Sequence, residues 1–395
     1  MPDDRPHIAL LGYDLRMSGV VRNALRIAGA AANAGMRTEL WVARGDGPLR
    51  NELPSDVKLR EITGGSTDRG RTIGLARSIP AFAAQLKSVR PRIVLSSGNH
   101  MHVAASLAYR MAGRPADVAL WARASNATLK HPLGAYLGRS LPAGLGRAID
   151  RINRSQYSTF ERIIAVSHEL GRNLTGELGL PAGRVTVIPN GVAVASIAQQ
   201  ADQPLDHPWM LDEAVPVILC VGRLSRQKNF PHLVRALPHV LKQRQARLVM
   251  LGPGNDAAVA ELTALARSLG VSDHMRVEGF DPNPFRWIAR AAVLAVPSLW
   301  EGSSNVVIEG LACGTPVVAY RCPTGIAEVV ETSGAGRTVA PGDVAAFAGA
   351  IVETLGSPRD PQRLKNYTSS FDLAETLRLY VAEFRTELDR QHQEA

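Results

Sequence analysis

The stretch LWEGSSNVVIEGLACGTPVVA, residues 299–319, sets the pattern from which the rest of the chain can be read. Its small polar run, Gly302-Ser303-Ser304-Asn305, has the composition of a tight turn, and serine is a good helix N-cap. A helix is predicted onward through Val306, Val307, Ile308 and Leu311. Gly314 closes it, and Thr315-Pro316 leads into an apolar strand over 317–319. A helix N-terminus presents unpaired N–H groups and a partial positive charge, and so attracts a phosphate. Glu309 falls one turn further on, on the face of Asn305 and displaced by roughly 6 Å along the axis. That is about the separation between the phosphate of a nucleotide and its ribose hydroxyls, which a carboxylate can bind. Glu301, just before the turn, would face the far side of the phosphate, where a sugar could sit. An ordinary helix with two solvated glutamates is the alternative, and the pair alone does not exclude it.

Working outward, the same alternation of strand, loop and helix recurs. A strand over 215–221 leads into Gly222-Arg223-Leu224-Ser225-Arg226-Gln227-Lys228-Asn229 and a helix over 230–241. A strand over 247–251 ends in Gly252-Pro253-Gly254, a helix follows over 256–269, and the strand 275–278 ends at Gly279-Phe280. The strand 293–297 feeds the opening stretch, and helices are predicted over 344–355 and 374–391. The N-terminal half repeats the theme. A strand over 7–12 is followed by Ser18-Gly19, where a backbone can approach a phosphate or sugar closely. Further strands are read over 38–43, 92–96, 118–122, 163–166 and 185–188, with helices to about residue 34, over 72–89 and over 102–112. This predicts an α/β protein of two wound units with parallel sheets. The first covers 1–194 and the second 214–373. A linker is expected over 195–213, where apolar periodicity lapses. Residues 131–148, rich in Gly, Pro and Leu, read as a loop, with a lipid-docking surface as the alternative.

Composition narrows the function. The chain has 395 residues, 45% of them hydrophobic and 21% charged, as in a globular protein with two cores. No apolar run approaches the ~20 residues of a membrane helix, and the first residues read as a strand rather than a secretory signal. Three cysteines in so long a chain suggest neither a disulfide framework nor a zinc site, so a cytoplasmic protein is expected. Residues 1–200 carry 26 Lys and Arg against 14 Asp and Glu, a net +12, whereas 201–395 carry 19 against 22, a net −3. A basic half suits an anionic membrane surface or a phosphate-bearing acceptor. A solvated arginine-rich surface is the alternative, and no nucleic-acid motif accompanies it. The first loop lacks the three-glycine dinucleotide fingerprint, which disfavours hydride chemistry. No Asp-x-Asp, metal-ligand His spacing, Walker loop or Gly-x-Ser-x-Gly elbow occurs, so no metal or other cofactor is expected.

Seven pieces fall in one order: SGVVR, AVSHEL, VIPNGV, VGRLSRQKN, GPG after a strand, VEGF, and EGSSNVVIEGLACGTPVVA. In this the chain resembles the retaining glycosyltransferases of family 4 over nearly its whole length, most strongly over 215–320. The resemblance implies the GT-B architecture, two Rossmann-like domains facing across a cleft, with 374–395 returning to the N-terminal domain. It also implies a nucleotide diphosphate sugar as donor, most simply a uridine diphosphate sugar, held mainly by the C-terminal domain. Arg223 and Lys228 match the basic pair on the diphosphate, which suits a metal-independent departure of an anionic leaving group. Glu309 matches the ribose-binding Glu and Glu301 the one that contacts donor-sugar hydroxyls. Gly302, Ser303, Ser304 and Asn305 would cradle phosphate and sugar, with Gly222 beside them. Ser18 and Gly19 match the loop that closes over the diphosphate. Gly279 and Phe280 lie where the family passes the base, with core packing as the alternative for Phe280. Many relatives carry a His near the donor sugar. Here the segment reads Trp121-Ala122-Arg123-Ala124-Ser125-Asn126, so Arg123 and Asn126, or else His100 or His102, are the candidates to replace it. The acceptor expected is a glycan or a polyprenyl-linked glycan in cell-envelope polysaccharide synthesis, with a peripheral position at the inner face of the membrane. A sugar-nucleotide epimerase or phosphorylase on the same frame, and a non-catalytic nucleotide-sugar-binding protein, are the alternatives. The Arg-x4-Lys pair and both glutamates favour the transferase.

Overall fold

The computed structural model describes residues 5–63, 71–126, 143–303, 305–322 and 325–394. They divide into two compact units. One takes the described residues up to Pro189 together with those from Ala374 onward, and the other runs from Asn190 to Leu373.

The first unit is built on seven parallel strands: β1 (Ile8–Gly12), β2 (Thr38–Val42), β3 (Val57–Glu61), β4 (Ile93–Ser97), β5 (Ala119–Ala124), β6 (Arg162–Ala165) and β7 (Val185–Val187). Their order across the sheet is β3-β2-β1-β4-β5-β6-β7. Helices cover both faces, so the central strands are apolar throughout rather than alternating, and Ile8 to Leu11 are wholly buried. The order reverses between β1 and β4. Outside the carboxyl ends of strands at such a reversal the following loops diverge to opposite faces and leave a crevice. The helix Leu373–Gln393 belongs to this unit, where Tyr380, Phe384 and Leu388 join the core around Leu10, Trp121 and Ile164.

The second unit has six parallel strands: β8 (Val217–Val221), β9 (Arg247–Leu251), β10 (Met275–Gly279), β11 (Val293–Val296), β12 (Val317–Tyr320) and β13 (Gly336–Val339). The order is β10-β9-β8-β11-β12-β13, with the reversal between β8 and β11. The helix Asn305–Ala312 buries Val306, Val307, Ile308 and Leu311 against this sheet. It ends as expected at Gly314, whose φ of 74° only glycine adopts without strain. Gly314 N donates to Leu311 O and Thr315 N to Gly310 O, the paired bonds of a Schellman cap.

Several assignments differ from the sequence reading, among them the helices Ile326–Ser333 and Pro361–Tyr367, which it did not include. The segment 195–213 is no free connection. The helix Val194–Ala201 and the turn Pro208–Leu211 place Ile197, Ala201, Leu205 and Met210 in the core of the second unit. Two strands, β3 and β13, escape the pattern because they lie at sheet edges and carry charged residues. Of the tract 131–148, residues up to 142 lie outside the described residues, and the remainder open the helix Ala143–Tyr157. Among the described residues no helix is long and apolar enough to cross a membrane. All three cysteines are buried and none forms a disulfide.

Candidate functional site

The reversal in the second sheet gathers most of the predicted residues. The loop after β8 carries Gly222, Arg223 and Lys228, and the loop after β11 carries Glu301, Gly302 and Ser303. Backbone and side-chain bonds tie the two loops together. Leu299 N donates to Gln227 O at 2.9 Å, Gln227 Nε2 to Trp300 O at 2.9 Å, and Asn229 Nδ2 to Pro297 O at 3.2 Å. Asn229 reaches that carbonyl from a left-handed backbone, φ 53°, which asparagine tolerates better than most residues.

Lys228 and Glu301 meet in this crevice. Lys228 Nζ donates to Glu301 Oε1 at 2.6 Å, with the lysine side chain 21% exposed and the glutamate 9%. Burial by itself would lower the Lys228 pKa. The Glu301 carboxylate outweighs it, so the ammonium is held above its ordinary value and stays charged. The lysine stem lies beside Gly222. Arg223 is exposed and has no hydrogen-bond or ion-pair partner among the described residues. One cation is thus held in reserve by a carboxylate and the other is open to an anionic ligand.

The helix Asn305–Ala312 presents the predicted polar stripe. Asn305 and Glu309 are its half-buried positions, while Val306, Val307, Ile308, Gly310, Leu311 and Ala312 are buried. Asn190, in the turn after β7, donates from Nδ2 to Asn305 Oδ1 at 2.8 Å and fixes the first side chain of the stripe. Ser304 lies outside the described residues, and Ser303 is half-buried. Gly279 closes β10, and Phe280 after it is 59% exposed, which removes the packing role as its explanation.

Four participants were not singled out from the sequence. They are Asn190, Gln227, Gly252 and Ser298. The first three sit in the motifs PNG, SRQKN and GPG, which was the available signal. Gly252 N donates to Gly279 O at 2.6 Å and Gly222 N to Leu251 O at 2.9 Å, so the ends of β8, β9 and β10 are laced together. A β-carbon at Gly252, where φ is 149°, would overlap the Gly222 carbonyl. Ser298 is 1% exposed, and its hydroxyl finds no partner among the described residues.

The remaining predicted residues belong to the first unit. Ser18 caps the helix Gly19–Asn33, its Oγ accepting from Val21 N at 3.2 Å, and the space around Gly19 is open. Ser18 and His100 line one small cleft of ≈ 20 Å³ at the β1/β4 reversal, with Gly12, Asp14 and the buried Ser97. His102 is a core residue. It is packed beside Tyr157 and Phe160 and hydrogen-bonded with Ser96, and burial pulls its pKa down to about 3. Arg123, a candidate sugar or acceptor contact, lies at the end of β5. It is 2% exposed, and its Nε donates to the Tyr380 hydroxyl at 3.0 Å. Asn126 is half-buried, and Asn99 fixes its turn by donating to Asn126 O and accepting from Ser125 N, each at 2.9 Å. Among the described residues no group of three or more His, Cys, Asp or Glu could hold a metal ion.

Two family models match the chain in succession. Glycosyltransferase Family 4 covers residues 17–196 and Glycosyl transferases group 1 covers 215–357. Together they take in most of the sequence and every strand of the two sheets except β1. The chain belongs to the group 1, family 4 glycosyltransferases. Among curated proteins it is similar to the N-acetylgalactosamine-N,N'-diacetylbacillosaminyl-diphospho-undecaprenol 4-alpha-N-acetylgalactosaminyltransferase of Campylobacter jejuni, at 32% identity over 157 residues. That match covers 40% of this chain and 40% of the relative. Among solved structures, a glycosyltransferase from Rickettsia africae superposes with a TM-score of 0.74 at 18% identity, over 98% of this chain and 99% of that one. An Anabaena protein in complex with UDP-glucose gives 0.72 at 19%, over 96% and 99%. These two likenesses establish the two-domain α/β fold of this class.

Proposed function

We propose that the protein is a metal-independent, retaining glycosyltransferase. It moves a hexose or N-acetylhexosamine from a uridine diphosphate sugar to a glycan or lipid-linked acceptor in cell-envelope polysaccharide synthesis. The observation that carries this reading is the convergence, at one strand-order reversal, of Arg223 and Lys228 with Glu301 and the Asn305/Glu309 stripe. The Anabaena structure holds UDP-glucose and the Campylobacter relative is named for a diphospho-undecaprenol-linked substrate, which supports the donor and acceptor classes.

In this reading Glu309 accepts hydrogen bonds from the ribose and the N–H groups opening its helix receive phosphate oxygens. Arg223 meets the diphosphate directly. Lys228 exchanges its bond with Glu301 for one with the departing diphosphate, a swap between two anions that leaves no buried charge unpaired. Glu301 then turns its carboxylate to the sugar, where positive character develops as the anomeric bond breaks. The diphosphate helps to deprotonate the acceptor hydroxyl on the same face, so configuration is kept. Phe280 offers an exposed ring to the base.

A panel of nucleotide sugars with and without polyprenyl-linked and free glycan acceptors tests this. Acceptor-dependent UDP release, an axial-to-axial or equatorial-to-equatorial outcome by NMR, and full activity in excess EDTA are expected. Activity lost in EDTA and restored by magnesium or manganese would refute the metal-independent mechanism. UDP release that needs no acceptor points to the epimerase or phosphorylase alternative. Binding of UDP without turnover of any mixture points to the non-catalytic one.

A further inference from the structure

The first unit carries a second and larger cleft, toward the amino ends of β1, β2 and β3 and so away from the β1/β4 crevice. Its volume is ≈ 570 Å³, within the range of small-molecule sites. Arg5, Arg37, Lys58 and Arg60 line it, and the helix Arg71–Val89 closes one side with its last residue. Against these four cations stand two carboxylates, Glu39 and Asp56, which leaves the lining at a net +2.

The cations are held in place by buried partners. Glu39, 6% exposed, accepts from Arg60 Nε and Nη2 at 2.8 and 2.9 Å and from the Trp41 indole at 2.6 Å. Burial by itself would raise the Glu39 pKa. The hydrogen bonds from Arg60 and Trp41 outweigh it, so the carboxylate stays charged. Arg60 is thereby fixed along one edge of its guanidinium, and Nη1 is left for another acceptor. Lys58 pairs with Glu39 in the β2–β3 register, yet its Nζ comes only to 3.6 Å from the carboxylate, longer than a hydrogen bond. Its side chain is 69% exposed. Arg37 is braced from the other side, donating from Nε and Nη2 to Arg5 O at 3.1 and 2.8 Å.

Cations on an edge strand such as β3 ordinarily guard it against pairing with another chain. Such a guard needs only charge in solvent. It does not need a glutamate buried one strand inward, whose desolvation is costly and whose effect is to aim Arg60. Cations ordered in a recess concentrate a positive field and spare a ligand the cost of ordering long side chains around it. We infer that this cleft is a binding site for a soluble phosphate-bearing anion, separate from the donor site. A phosphate turns acceptor oxygens in several directions, which suits the open edge of Arg60, the guanidinium of Arg37 and the ammonium of Lys58 together. Among the described residues no aromatic side chain lines the cleft, so a nucleobase has no ring to stack on. An inorganic diphosphate and a sugar phosphate both supply the required group. The inference is independent of the proposed reaction, because no residue of the lining belongs to the candidate donor site.

Calorimetric titration of the full chain with pyrophosphate, and separately with glucose 1-phosphate, tests it at low salt with excess UDP present. UDP fills the donor site and Arg223→Ala removes its open cation, so binding that survives both belongs elsewhere. The Arg223→Ala arm keeps the test valid even if UDP is not the donor nucleotide. Lys58→Ala should weaken binding by about tenfold or more, the loss of one charged hydrogen bond, whereas Lys58→Arg should keep most of it. Asp56→Asn takes negative charge from the rim and should tighten binding by about two- to fivefold, a gain that misfolding does not imitate. Lys242→Ala, an exposed change in the second unit, should have no effect. Thermal melts report whether each variant is folded. Tighter binding of glucose 1-phosphate makes a sugar part of the ligand, and tighter binding of pyrophosphate makes it an inorganic diphosphate. Failure of both anions to bind wild type overturns the proposal. So does binding lost on adding UDP or in Arg223→Ala, or binding that neither Lys58→Ala nor Asp56→Asn alters.

Discussion

The 2.6 Å bond between Lys228 and Glu301 joins the two residues with the most to do in the proposed chemistry. Either one alone would be an ill-compensated charge in a crevice. Lys228→Met should therefore lower stability by about 2 kcal/mol, at the low end for a buried pair because the lysine is partly exposed. Adding Glu301→Gln should recover most of that loss, since the stranded carboxylate is gone, yet turnover should stay abolished. Urea denaturation of the three variants beside a UDP-release assay checks this, and additive stability losses would show that the two side chains do not depend on each other. The raised Lys228 pKa fixes the sign of the pH dependence. The stabilisation is complete below the ordinary lysine pKa and is lost as pH rises through the higher folded value. The Arg-x4-Lys spacing and the glutamate pair were legible in the sequence because each is local. Their pairing was not, nor was the Asn190 bond to Asn305, because both join residues at least 73 positions apart through the order of the strands.

At the scale of elements, the laced ends of β8, β9 and β10 make a backbone-lined edge that tolerates no side chain at Gly252. Gly252→Ala should cost at least about 2 kcal/mol and weaken UDP binding together with stability, because the Gly222 carbonyl must move. Thermal melts with and without UDP would detect both, and a variant matching wild type in each would show that the edge has room. The helix Asn99–Met111 supplies a pH test. Burial holds His102 neutral, with a pKa of about 3 against 6.5 for the exposed side chain. Between those values the unfolded chain takes up a proton that the folded chain refuses. Stability therefore falls as pH falls, by roughly 1.4 kcal/mol per pH unit from this site. His102→Gln should remove one proton from the pH dependence of unfolding between pH 4 and 6. An unchanged slope would mean His102 is solvated. The sequence placed His102 correctly on a helix, but only packing distinguishes it from His100, which lines a cleft two residues away. The helix Val194–Ala201 was missed for a related reason. Its apolar positions Val194, Ile197 and Ala201 are few, and no side chain caps its start.

At the scale of the whole molecule, the alternation of strands and helices made both sheets legible, and the family motifs extended that reading to the loops at their carboxyl ends. The division of the chain follows packing rather than sequence order, since the helix Leu373–Gln393 completes the core of the first unit. Phe384 is wholly buried there, its ring 5.6 Å from that of Trp121. Phe384→Ala should destabilise the first unit by about 3–5 kcal/mol while leaving UDP affinity, assigned to the second, nearly unchanged in protein that remains folded. Calorimetric unfolding beside UDP titration checks this. A loss of UDP affinity with no loss of stability would place the helix in the binding machinery instead.

The central claim is that the helix Asn305–Ala312 and the loop before it divide the donor between two glutamates, and UDP titration calorimetry of Glu309→Gln and Glu301→Gln tests it most directly. Glu309 is assigned to the ribose, which does not react. Its change should weaken UDP binding by roughly 1–3 kcal/mol, the value of charged hydrogen bonds lost. Glu301 is assigned to the sugar, which UDP lacks. Its change should leave UDP affinity nearly intact and lower turnover of the UDP-sugar. Loss of UDP binding in Glu301→Gln with none in Glu309→Gln would reverse the donor along the helix, and no change in either would make the stretch ordinary scaffold.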